Sequence, residues 1–221
     1  MNKINTILWD LDGTLLYTLA DLAESVNYAL AKNNLPARTE AEVKEFVGNG
    51  IRLLMERAVP NGRENPAFAA ALQDFKDYYA KNCNNNTRAY DGIPELLQKL
   101  KNDGCKMAVV SNKIDSAVKD LVKMYFADTI TVAVGDNPHR AKKPNADNLL
   151  FALEQLNSSL ENAVFVGDSE VDIMTAQNAG IPMIIVDWGY KTKEFLEQKG
   201  GKNIVSSADE LYQVFNELAG K

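Results

Sequence analysis

The sequence predicts an α/β protein: a parallel sheet flanked by helices, with a helical segment inserted after the first strand. Three observations carry this. Short runs rich in Val and Ile recur along the chain and end in polar or Gly residues, as strands buried on both faces do. From residue 90 onward these runs alternate with segments of helical spacing, an order that implies a parallel, Rossmann-like sheet with helices on both faces. The first run stands apart, separated from the others by a long stretch of helical pattern.

The elements follow in chain order. Ile4 to Leu11 is the first expected strand. The insert carries four apolar sets at helical spacing: Leu22, Val26, Ala29 and Leu30; Val43, Phe46 and Val47; Leu53, Leu54 and Ala58; Phe68, Leu72 and Phe75. Asn84-Asn85-Asn86, a polar run unsuited to a helix interior, marks its return. The expected division is a discontinuous core, 1–15 and 86–221, around a helical cap, 16–85. In the core, Met107 to Val110, Ile130 to Val134, Ala163 to Val166 and Met183 to Val186 read as strands, with Ile204-Val205 as a short edge strand. Between them, Leu96, Leu97 and Leu100, then Val118, Leu121 and Val122, then Leu149, Leu150, Leu153 and Leu156 mark helices. Ser207 and Glu210 form a capping-box pattern before the last helix, whose apolar face is Leu211, Val214, Phe215 and Leu218.

Composition narrows the function. The chain of 221 residues has 24 Lys plus Arg, 30 Asp plus Glu and a formal charge of −6, which argues against a nucleic-acid binder. Its single histidine, His139, excludes a His-rich metal cage and is the only possible His base. Two cysteines, Cys83 and Cys105, cannot build a disulfide framework or a four-thiolate zinc site, and they suggest a reducing compartment. No apolar run approaches the roughly 20 residues of a membrane span. Acids at positions 10 and 12 follow the first apolar stretch at once, unlike a signal peptide. A cytoplasmic protein is expected, with no nucleic-acid and no membrane partner.

Four groups of reactive side chains sit at or just after expected strand ends, where open parallel sheets bind their ligands. Asp10 and Asp12 lie two apart, so both face one side if the chain stays extended, and Gly13 permits a sharp turn. Two carboxylates held close need a proton or a cation between them. Asp168 holds the same kind of position as Asp10, and Asp172 lies about one helical turn on. Such oxygens suit a hard cation such as Mg²⁺, although Asp168 or Ser169 taken alone reads as a helix cap. Ser111-Asn112-Lys113 offers a hydroxyl and backbone N–H groups for an oxyanion, or a helix N-cap. Lys142-Lys143-Pro144 precedes a helix, with Pro144 expected near its first turn, and a lysine there can place a charge on a phosphate or on a carboxylate. Independent capping would not put all four groups at strand ends.

This ordered set, Asp10-Leu11-Asp12-Gly13-Thr14, Ser111-Asn112, Lys143-Pro144 and Gly167-Asp168-Ser169-Glu170-Val171-Asp172, resembles the four motifs of the haloacid dehalogenase-like hydrolase superfamily over essentially the whole chain. The insert resembles the helical cap of one branch. The string from Val47 to Ala58, with Ser111-Asn112-Lys113, is most similar to the phosphoglycolate phosphatases of that branch. The resemblance implies a Mg²⁺-dependent phosphomonoesterase in which Asp10 is the nucleophile and forms an aspartyl-phosphate, and Asp12 the general acid and base. It further implies that Asp10, the backbone carbonyl of Asp12 and Asp168 hold Mg²⁺, with Asp172 bound directly or through water. Ser111 and Lys143 would bind the phosphoryl group, supported by Thr14 and Asn112. In the cap, Gly48, Asn49, Gly50 and Arg52 would select the substrate, a small phosphorylated metabolite, with 2-phosphoglycolate favoured. Related phosphatases of pyrophosphate, nucleotides or sugar phosphates, phosphomutases, and a non-catalytic phosphate-binding protein are the competing readings. A monomer or homodimer is expected. Tyr17 departs from the family pattern, which carries Asp there; an aromatic at that place packs the hinge or shapes substrate entry.

Overall fold

The computed structural model describes residues 4–48 and 50–220. The chain forms two compact units, one of residues up to Leu16 together with Ala89 onward, the other Tyr17–Arg88. In chain order, β1 (Thr6–Trp9) and β2 (Leu16–Tyr17) lead into α1 (Leu19–Lys32), α2 (Glu40–Phe46), α3 (Ile51–Ala58) and α4 (Phe68–Asn82). Then come β3 (Arg88–Ala89), α5 (Ile93–Asn102), β4 (Lys106–Ile114), α6 (Asp115–Phe126), β5 (Val132–Asp136) and α7 (Asp147–Gln155). The chain ends with β6 (Ala163–Gly167), α8 (Glu170–Ala179), β7 (Met183–Val186), α9 (Lys193–Gln198), β8 (Ile204–Val205) and α10 (Ala208–Leu218).

Six strands form one sheet in the order β5-β4-β1-β6-β7-β8, and every pairing is parallel. Strand β1 lies inside, with Thr6–Trp9 opposite Lys106–Val109 on one side and Ala163–Val166 on the other. Side chains alternate between the faces, as the period-2 pleat requires. Ile7, Trp9, Met107, Val109, Val164 and Val166 enter one apolar cluster with Leu97, Val118 and Phe215. Leu8, Ala108, Val110, Ala163 and Phe165 enter the opposite one with Leu149 and Leu153. Both faces are covered, which is why these strands read as continuous apolar runs. Each fully buried side chain of this size contributes about 1.5–3 kcal/mol. The chain travels outward through β4 and β5, then returns to the other side of β1 for β6, β7 and β8. Open parallel sheets bind ligands beside such a reversal, which here falls at the carboxyl ends of β1 and β6.

Several boundaries differ from the sequence expectation. Strand β1 is shorter than Ile4 to Leu11. Strand β5 begins at Val132, because Ile130 is buried in the first-face cluster before the strand starts. Strand β4 runs four residues past Val110, through a shift of register between Val110 and Ile114. Helix α7 begins three residues after Pro144, so Pro144 is not in its first turn, and Leu150 faces solvent at 47% exposure. At α10, the Ser207 hydroxyl accepts from the Glu210 N–H, but the Glu210 carboxylate accepts from Ser206 rather than Ser207, so the capping box is only half formed.

The helical unit packs α1 beside α4. Tyr28 stacks on Tyr78 at 4.0 Å between ring centroids. Thr39 and Glu42 form a complete capping box at α2. Buried Asp21 accepts four hydrogen bonds, from the backbone N–H and side chain of both Asn86 and Thr87, at 2.7–3.0 Å. Tyr17 lies under the Arg88 guanidinium at 4.3 Å, and its hydroxyl donates to Glu40 at 2.7 Å, so it packs the ends of this unit. Among the described residues no helix is long and apolar enough to cross a membrane.

Candidate active site

Asp10 is the first residue after β1, and its N–H continues the ladder by donating to the Val166 carbonyl. Its carboxylate accepts from the Leu11 N–H at 2.7 Å. Beyond Asp10 the chain folds into a turn in which the N–H groups of Thr14, Leu15 and Leu16 all reach the Leu11 carbonyl, while Asp12 still bridges to Leu16. Gly13 in this turn has φ of +84°, and a Cβ there would press into the Asp168 carboxylate, so only glycine fits.

Asp168 follows β6, and Asp172 lies in the first turn of α8. Ser169 caps that helix: its hydroxyl accepts from the Asp172 N–H and donates to the Asp172 carboxylate at 2.6 Å. The capping reading of this segment is thus true of Ser169, while Asp168 points elsewhere. Asp168 accepts from the Thr14 hydroxyl at 3.3 Å and from the Tyr190 N–H at 2.8 Å. A Cβ on Gly189 would also strike its carboxylate. One carboxylate oxygen from each of Asp10, Asp168 and Asp172 lies within 4.8 Å of the others, and all three residues are buried.

Lys143 comes from the loop between β5 and α7. Its ammonium is 2.9 Å from Asp10 Oδ1 and 2.7 Å from Asp172 Oδ1, with the side chain 3% exposed. Asn112 donates to the Lys143 carbonyl at 3.0 Å and so fixes this loop to β4. Ser111 is buried on β4, and its hydroxyl accepts from the Lys113 N–H rather than capping a helix through its own side chain.

Electrostatics follow from this crowding. Burial pushes the Asp10 carboxyl up to about 7; Lys143 opposes the rise, while Asp172 and Asp12 add to it. Burial also raises Asp168 well above the usual carboxylate range, helped by Asp172 and Asp10. Burial disfavours the charge on Lys143, but Asp10 and Asp172 outweigh it and raise its pKa, so it stays an ammonium. With all three carboxylates ionised, the one ammonium would leave two negative charges in excess, which a divalent cation would balance.

The structure thus brings Asp10, Thr14, Ser111, Asn112, Lys143, Asp168 and Asp172 to the carboxyl ends of β1, β4 and β6. Asp12 lies in the same turn as Thr14, paired with Lys113 at 3.0 Å. Lys113 was legible only as part of the Ser111-Asn112-Lys113 string, since a lysine beside a strand usually points to solvent. The Trp188-Gly189-Tyr190 loop gave no signal in the sequence beyond following a strand end, yet it closes on Asp168 and on the Thr14 carbonyl, to which Trp188 donates at 3.1 Å. Gly48, Gly50 and Arg52 belong to the helical unit, at the connection of α2 and α3; Gly50 precedes α3 with φ of +91°, and Arg52 is exposed. Asn49 lies outside the described residues. His139 is exposed in the loop after β5.

Comparison with known proteins agrees with this geometry. The profile of the haloacid dehalogenase-like hydrolase family matches residues 7–186. A phosphoglycolate phosphatase of Yersinia pseudotuberculosis is 35% identical over 195 residues, covering 86% of this chain and 84% of that protein. One of Mesorhizobium japonicum is 32% identical over 197 residues, covering 86% of each. A crystal structure from Lactobacillus delbrueckii subsp. bulgaricus, provisionally assigned as a phosphoglycolate phosphatase, superposes with a TM-score of 0.92 at 30% identity, covering 99% of this chain and 100% of that one.

Proposed function

The chain belongs to the haloacid dehalogenase-like hydrolases and is a phosphatase, and from that membership we propose that it hydrolyses small phosphomonoesters, 2-phosphoglycolate foremost, through an aspartyl-phosphate on Asp10. The buried cluster of Asp10, Asp168, Asp172 and Lys143 carries this reading.

The cluster fits Mg²⁺. Its donors are all hard carboxylate oxygens, they are close enough to share one ion, and their excess charge matches a divalent cation. Asp10, Asp168 and Asp172 would hold it, with the Asp12 carbonyl. Bound there, Mg²⁺ would supply charge neutralisation for the phosphoryl oxygens and would favour the ionised form of Asp10.

The chain's own residues do the rest. An Asp10 oxygen attacks phosphorus as the ester oxygen leaves in line, and Asp12 gives that oxygen its proton. Lys143 and Ser111 hold the phosphoryl oxygens, which gain charge in the transition state. Water then attacks phosphorus, Asp12 takes its proton, and the bond to Asp10 breaks to release phosphate. Thr14 and Asn112 act by holding Asp168 and the Lys143 loop. No histidine is needed. The names of the Yersinia and Mesorhizobium relatives support 2-phosphoglycolate as substrate. Arg52, with Gly48, Asn49 and Gly50 beside it in sequence, is proposed to select the substrate's carboxylate.

A panel of phosphate esters assayed with Mg²⁺ tests this reading. The highest kcat/KM is expected for 2-phosphoglycolate, with activity lost in Asp10→Asn and on chelation. A sugar phosphate or nucleotide in first place, unaffected by Arg52→Ala, would overturn the substrate. Full activity in Asp10→Asn would overturn the mechanism.

A further inference from the structure

Among the described residues two lysines are buried, and the mechanism above uses only Lys143. The other, Lys113, lies where β4 runs on past its apolar segment. Its side chain is 3% exposed, and its ammonium is 3.0 Å from Asp12 Oδ1. Burying an ammonium is costly unless it is paired, and a methionine of the same length would fill the space without that cost. The lysine is therefore explained by its partner rather than by packing. Asp12 is 20% exposed and is the open end of the pair.

We propose that Lys113 is a positioning residue for Asp12: the buried ion pair fixes the carboxyl group toward the leaving oxygen and meets the charge left on it once its proton has been given up. The proposal rests on the acid role assigned to Asp12 above. Proton transfer demands a heavy-atom separation near hydrogen-bond length, so a group free to turn loses most of its effect. Strand β4 pairs with β1 over Lys106–Val109, and Lys113 stands four residues further along the same strand, beside the segment that follows β1. The pair thus ties the acid to the same two strands that carry Ser111 and Asp10.

Leaving-group dependence separates this role from mere support of the fold. An alkoxide leaving group needs the proton from Asp12, whereas p-nitrophenolate leaves without it. Lys113→Met is expected to lower kcat/KM for 2-hydroxyethyl phosphate on the order of 100-fold, but for p-nitrophenyl phosphate less than about 3-fold. Lys113→Arg should restore most of the loss, and Lys113→Gln should repeat the pattern of Lys113→Met with a polar side chain. In an Asp12→Asn background, Lys113→Met should cost less than about 2-fold more, since its effect runs through Asp12. Equal losses on both esters, or losses that multiply in the double variant, would overturn the proposal. A loss confined to 2-phosphoglycolate, sparing its uncharged hydroxyethyl analogue, would also overturn it, because Lys113 would then bind the substrate's carboxylate. If Asp12→Asn shows no leaving-group dependence, the acid role of Asp12 has failed and the proposal falls with it. If Asp12→Asn shows it and Lys113→Met does not, the proposal alone has failed.

Discussion

Removing the cation from the acid cluster should destabilise the protein in a way that depends on pH. Lys143 makes ion pairs of 2.9 and 2.7 Å with Asp10 and Asp172, inside a group where Asp168 is also buried. Each pair is worth about 6 kcal/mol of attraction at an effective dielectric constant of about 20, most of it offset by the cost of burying the ammonium. Losing one partner of such a pair costs about 3–5 kcal/mol, because charge is left buried without a counterion. In Lys143→Met the carboxyl groups escape that cost by holding protons. Asp10 already sits at about 7, pushed there by burial, and without Lys143 it moves higher. The native state then binds more protons than the unfolded chain between the unfolded carboxylate range and the raised value, so stability falls as pH rises through that window. The variant should lie close to the native protein at pH 5 and fall behind it by pH 8. For a chain of this size, 3–5 kcal/mol is roughly 6–20 °C in Tm. Both tryptophans, Trp9 and Trp188, lie in the α/β unit, so thermal unfolding followed by intrinsic fluorescence in EDTA reads that unit directly. Equal Tm values at pH 8, or a deficit that does not change between pH 5 and pH 8, would refute the reasoning.

Three further outcomes follow from the same geometry. The metal-free native protein should itself lose Tm between pH 5 and pH 8, because the folded Asp10 and Asp168 carboxyl groups are both raised and hold protons that the unfolded chain releases; millimolar Mg²⁺ should return most of it at pH 8 and little at pH 5, and a Tm that rises with pH in EDTA would contradict this. Gly189→Ala would drive a methyl group into the Asp168 carboxylate and should weaken Mg²⁺ activation about 10- to 100-fold, read as the Mg²⁺ concentration at half-maximal turnover; an unchanged value would mean that Asp168 holds no metal. Asp21→Ala removes the acceptor of four hydrogen bonds from Asn86 and Thr87, and it should destabilise the helical unit by about 2–4 kcal/mol, seen as faster amide exchange at both residues; unchanged exchange there would show that the clamp contributes nothing.

The parallel sheet was legible because its strands are buried on both faces and so appear as apolar runs. What the runs do not carry is where a strand continues through polar residues. Strand β4 extends through Ser111, Asn112 and Lys113, where buried Lys113 pairs with Asp12 far away in sequence and buried Ser111 accepts from the Lys113 N–H. Conversely, Ile4 and Ile130 are apolar yet lie outside the strands: both pack on the first-face cluster from flanking loops. Leu150 fits a helical face by spacing but is exposed. The acids at strand ends were visible as a pattern. Which lysine each acid meets was not, since Asp12 pairs with Lys113, and Asp10 and Asp172 with Lys143, across long separations in sequence. The loop that encloses Asp168 was invisible for a related reason: it acts through a backbone N–H and the absence of a Cβ, and neither leaves a chemical signature in a sequence.

The central claim is that Asp10 carries the phosphoryl group during turnover. Acid-quenching the enzyme during steady turnover of 2-phosphoglycolate with Mg²⁺, followed by borohydride reduction, converts an aspartyl-phosphate to homoserine, which peptide mass spectrometry locates. Homoserine is expected at position 10, dependent on substrate and Mg²⁺, and none at positions 12, 168 or 172. Homoserine at one of those other positions, or turnover with unmodified Asp10 in every quenched sample, would contradict it.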